Sequence, residues 1–143
     1  FPFVIVDLRF GDLDWWRTAA GNGASGRVRS ASEPPTRYED LALETLMFAW
    51  QVAREDRSVA MMIFAMPLSV ADCIAELTMQ QVRMFAAQSA KCLRIRWDHD
   101  QNFWRKLLMA VRDPDEAALA GLRREAKLHF CGELVHPCLP VAP

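Results

Sequence analysis

At 143 residues, 52% of them apolar, the chain can build one domain with a real core, which excludes an intrinsically disordered protein. A net charge of −1 excludes a uniformly basic nucleic-acid binder, and no apolar run reaches the roughly 20 residues that cross a bilayer. Leu, Met, Ala, Phe and Trp outweigh Val, Ile and Tyr, which favours helices over sheet, so the expected class is a small all-α, multi-helix domain.

The chain opens on Phe1-Pro-Phe-Val-Ile-Val-Asp, which lacks both an initiator Met and the basic start of a signal peptide, so the cytoplasm is the expected compartment. Val4–Phe10 has the composition of a short strand. Gly21-Asn-Gly-Ala-Ser-Gly and Ser30-Ala-Ser-Glu-Pro-Pro then read as a linker without apolar period. Residues 1–35 are therefore expected to be an extension outside the domain. The domain itself is expected over 36–131, and an irregular Pro-rich tail over 132–143.

Thr36-Arg-Tyr-Glu39 fits a capping box that opens a long helix. Leu43, Leu46, Trp50 and Ala53 follow helical spacing, and Met47, Phe48 and Val52 widen the stripe. A stripe this wide can bury against its own core and a second chain, so these four residues are the expected homodimer interface; a central helix of a monomer is the alternative. Ser58 is placed to cap a short helix over Val59–Met66, which must stop before Pro67. Ser69 opens Val70–Glu76. Thr78-Met-Gln-Gln81 is a second capping box, opening Met79–Ser89. Two short helices joined at Leu77-Thr78 have the outline of a helix-turn-helix, an outline that many pairs share without touching DNA.

Lys91–Trp97 alternates like a strand, with Leu93, Ile95 and Trp97 expected inward and Cys92, Arg94 and Arg96 outward. Asp98-His-Asp-Gln101 can cap the next helix, whose inner face would carry Phe103, Leu107 and Val111. Asp113-Pro-Asp-Glu116 combines an N-cap acid, Pro at the first helical position and an acid at the third. That last helix is expected to reach about Phe130 and to stop at Gly132.

Charge is unevenly distributed. Residues 36–82 hold three Lys/Arg against seven Asp/Glu, whereas residues 83–112 hold seven against Asp98 and Asp100. Such a step fits DNA or an acidic partner, and equally a solvated face. Arg94 and Arg96, with Arg83, Lys91, Arg105 and Lys106, are the residues expected to meet a DNA backbone; bridging acids of a partner subunit is the competing reading. Trp97 and Trp104 read as core anchors rather than base-stacking platforms.

No phosphate loop, nucleotide-binding glycine motif, nucleophile elbow or paired-histidine metalloprotease motif occurs, so no enzymatic reading and no cofactor is expected. His129, Cys131, His136 and Cys138 could meet a tetrahedral zinc, but each pair is one residue apart, short of the usual two-to-four-residue spacing. A frayed helix end with free thiols is the preferred reading there.

Over Leu43–Asp98, and more loosely to about Phe130, the chain resembles the FlhD family. The resemblance rests on Ala49, Asp56-Arg57, Ala60-Met61, Ala71, Leu77-Thr78, Gln81, Ala86 and Arg96-Trp97-Asp98 in their joint spacing. It implies an all-helical, dimeric subunit of a flagellar transcriptional activator. Such a subunit acts with a zinc-bearing FlhC-like partner on promoter DNA and recruits RNA polymerase, with no membrane role. Departures point to a divergent paralogue: Met62-Ile63-Phe64 replaces the family's Phe-Arg-Leu, and Gln80 replaces a proline. The family's inter-subunit cysteine falls at Leu93, and Cys92 precedes it by one residue. In an extended segment that shift turns the side chain to the other face, against an interchain disulfide. A stand-alone helical module that modulates another regulator is the alternative function.

Overall fold

The computed structural model describes residues 4–21 and 37–135. The described residues form seven α-helices and a two-stranded sheet, as the composition leads one to expect. The chain divides into two compact units, residues 1–94 and 95–143, rather than a single 36–131 domain behind an extension.

In the first unit, β1 (Val6–Asp7) leads through a tight turn into α1 (Leu13–Gly21). Arg9 adopts a left-handed φ of 57° there, and its carbonyl accepts the Asp12 amide and the Trp16 indole N–H, each at 3.0 Å. Asp12 caps α1 by accepting the Trp15 amide at 3.0 Å. The turn drives Leu8, Phe10 and Trp16 into the core, where they are almost wholly buried. Trp16 stacks on Phe10 and tilts against Phe85, while Phe10 meets Phe64 edge-on at 5.1 Å. The expectation of an extension thus fails for residues 4–21, whose aromatic rings are core. Residues 22–36, including the Thr36 cap, lie outside the described residues.

The long helix α2 (Arg37–Glu55) packs on α3 (Arg57–Phe64), α4 (Leu68–Ala75) and α5 (Met79–Ser89). Asp56, not Ser58, caps α3: its carboxylate accepts the Ser58 and Val59 amides at 2.8 and 3.1 Å. The helix closes at Ala65, in the left-handed region at φ 51°, ahead of Pro67. Pro67, not Ser69, stands at the start of α4, without a side-chain cap. No single described helix is long and apolar enough to cross a membrane; the apolar α3–α4 pair is bent by 115° and lines the core through Ala60, Ile63, Phe64, Val70, Ala71 and Ile74.

A 3-10 turn (Ala90–Cys92) leads to β2 (Arg94–Ile95), which pairs with β1. In the second unit, α6 (Gln101–Arg112) precedes α7 (Glu116–Val135). Asp100 caps α6 through the Asn102 and Phe103 amides. Phe103 and Ala110 are the buried side of α6, and Val111, expected inside, is 67% exposed. Asp115, rather than Asp113, caps α7 by accepting the Ala117 amide at 3.1 Å. The helix runs through Gly132, which has no positive φ, so the stop expected there is overturned. Residues 136–143 lie outside the described residues.

Candidate functional site

The Thr78 capping box forms as expected: the Thr78 hydroxyl accepts the Gln81 amide at 3.2 Å, and the Gln81 side chain accepts the Thr78 amide at 2.8 Å. The corner before it is pinned by α2, because the Trp50 indole N–H donates to the Leu77 carbonyl at 2.8 Å. Helix α5 buries Val82, Phe85, Ala86 and Ser89. Its opposite side exposes Met79, Gln80, Arg83 and Ala87. Helical backbone continues through Ala90, so Arg83, Ala87 and Lys91 follow at four-residue intervals along one exposed edge. Lys91 also lines an open cleft with Tyr38, Glu39, Ala87, Gln88 and Ala90. Arg94 is exposed on β2.

The structure corrects the strand-like reading of Lys91–Trp97. Only Arg94–Ile95 is a strand, and Ile95, expected inside, is 48% exposed. Arg96, expected on the outer basic face, is 7% exposed. Arg96–His99 form a turn in which Trp97 takes a left-handed φ of 56°, costing an L-residue about 1–2 kcal/mol. That turn breaks the alternation and sends the guanidinium inward. Arg96 is ion-paired with Glu133, and its guanidinium lies over the Trp97 and Phe130 rings at 5.1 and 5.6 Å. Glu133 accepts the Trp97 indole N–H at 2.9 Å. A buried, paired Arg96 is withdrawn from any DNA backbone. The basis for turning Cys92 to the opposite face goes too, since Cys92 lies in the 3-10 turn rather than in extended chain.

Arg105 and Lys106 belong to the second unit. Arg105 is exposed, and Lys106 donates to both oxygens of Glu125 at 3.1 and 3.2 Å. Trp97 is buried, and the partly buried Trp104 donates its indole N–H to the Arg96 and Trp97 carbonyls, each at 3.1 Å. Both act as anchors of their turn.

The residues expected at a dimer interface mostly face the interior of the chain. Leu46 and Ala53 are fully buried in the first unit, and Leu43 and Trp50 pack partly buried against the same core. Turned outward on α2 are instead Tyr38, Leu41, Met47 and Phe48. Of these, Leu41 and Phe48, seven residues apart, share a face, while α3, α4 and α5 fill the side that spacing leaves open to a partner.

Of the zinc set, His136 and Cys138 lie outside the described residues, and Cys131 is exposed. His129 is engaged elsewhere: its Nε2 lies 3.0 Å from Asp100 Oδ2. The ring stacks on Trp97 at 5.2 Å and meets Phe103 and His99 edge-on. The Phe103 amide lowers the Asp100 pKa below its ordinary 3.8, with further help from His129 and the Asn102 amide. The Asp100–His129 pair escapes sequence reasoning because its members are 29 residues apart.

Residues 35–128 match a protein family described as the flagellar transcriptional activator (FlhD). No curated protein and no solved structure gives a significant match.

Proposed function

Because the chain belongs to the FlhD family of flagellar transcriptional activators, we propose that it acts as the DNA-binding subunit of such an activator, with an FlhC-like partner, at flagellar promoters. The observation that carries this reading is the family match, which takes in α2 to α6 and most of α7. The proposed subunit works in the cytoplasm, pairs with a second copy through the outward Leu41 and Phe48 of α2, and engages RNA polymerase as part of the complex. Its DNA contacts go to phosphates, because exposed cations at α5 and β2 supply charge without the fixed polar pairs that base readout needs. Arg83, Lys91 and Arg94 carry these contacts.

The test is co-expression with an FlhC-like partner, followed by promoter binding at several salt concentrations. The complex should bind specifically where this chain alone does not. Arg83→Glu with Arg94→Glu should weaken binding and reduce the slope of log K against log salt by about 0.9 for each phosphate that is no longer neutralised. Unchanged promoter binding by that double variant, with its helicity intact, would remove the role given to these arginines. The alternative, an interaction module without DNA contact, is favoured by one observation: two of the six expected DNA-binding cations, Arg96 and Lys106, are already ion-paired within the chain. A complex that forms with the partner but binds DNA no better than the partner alone would decide for it.

A further inference from the structure

We propose that Asp100, Glu125 and His129 form a binding site for a divalent transition-metal ion in the second unit. One ligand atom from each residue lies within 4.8 Å of the other two. The 3.0 Å between His129 Nε2 and Asp100 Oδ2 matches two cis ligands on an octahedral ion with bonds of about 2.1 Å, and a tetrahedral ion would need them to part to about 3.4 Å.

Backbone geometry supplies the arrangement. Glu125 and His129 are four residues apart on α7 and therefore share a face. Asp100 stands at the start of α6 with Oδ1 held by the Asn102 and Phe103 amides, and Oδ2 faces the imidazole. Contacts from Trp97 and Phe103 orient the His129 ring. The three side chains are partly buried, so an ion can enter from solvent.

The donor set selects the class of ion. Two carboxylate oxygens and an imidazole nitrogen suit zinc, cobalt or nickel, whereas magnesium and calcium prefer oxygen alone. Lys106 sits against both Glu125 oxygens and competes with the ion for that carboxylate. A bound ion would staple α7 to the start of α6, and acid would release it as protons compete for the ligands. This set shares only His129 with the Cys/His set of the tail.

Cobalt(II) titration of the full-length protein tests the site, because its visible bands report coordination and a near-ultraviolet thiolate band reports cysteine ligands. One equivalent should bind without a thiolate band. Glu125→Gln, a conservative change at a partly exposed position, should weaken binding at least about tenfold with helicity unchanged. Lys106→Met should strengthen it severalfold, a gain that loss of folding cannot mimic. The proposal is overturned by no binding at cobalt on the order of 1 mM. It is equally overturned by a thiolate band that disappears in Cys131→Ser with Cys138→Ser, or by affinity that neither Glu125→Gln nor Lys106→Met alters.

Discussion

The two units are held together by different physics. The first buries a continuous set of side chains, from Leu8, Phe10 and Trp16 through Leu46, Val70, Ile74 and Val82 to Phe85. Its charged contacts, such as the 2.6 Å pair of Arg57 and Asp72, sit at the surface. The second has a thin apolar interior of Trp97, Phe103, Ala110, Leu122, Ala126 and Phe130, and sets a buried arginine among it. There, long-range polar contacts do much of the fastening: Arg96 and Trp97 to Glu133, His129 to Asp100, and Lys106 to Glu125. The first unit should therefore be sensitive to lost volume, and the second to lost charge.

The strongest test of that contrast is Leu46→Ala. Truncating a fully buried leucine should cost about 2–5 kcal/mol, read as a lower urea midpoint with weaker amide protection in α2 to α5. A cost below about 0.5 kcal/mol would mean that the first unit does not rest on close packing. Next is Glu133→Gln, which keeps an acceptor for the Trp97 indole but removes the charge that faces Arg96. Losing the charge of this half-buried pair should cost on the order of 1–3 kcal/mol, seen as faster hydrogen exchange in α6 and α7. Equal exchange rates in the variant and the parent would show that the charge is not what fastens this unit. The smallest effect belongs to Asp72→Asn, which removes an exposed pair and should change stability by less than about 1 kcal/mol, shrinking further in high salt. A larger loss would blur the division between the units.

What can be read from the sequence is local. The Thr78–Gln81 box and the acid that caps α6 are legible because each partner lies within three residues of the other, and backbone amides at a helix start need an acceptor in any fold. The Asp12 cap ahead of Trp15-Trp16 is equally local, but the Gly/Ser/Pro run after it draws the whole stretch into an expected extension. Period also misleads where its phase matters. Spacing puts Leu43, Leu46, Trp50 and Ala53 on one side of α2, but it carries no sign of which neighbouring helices cover that side.

The amino-acid sequence by itself determined the helical class, the caps of α5 and α6 and the family, since these rest on residue type and short spacing. Only the tertiary structure decided which way Arg96 faces and what His129 touches. Strand-like alternation predicts an outward arginine until Glu133, 37 residues on, supplies the counter-charge that offsets the cost of burial. Likewise, His129 reads as a tail ligand until the packing of α7 brings it to the Asp100 carboxylate. Both depend on pairing between residues far apart in the chain, which no local rule encodes.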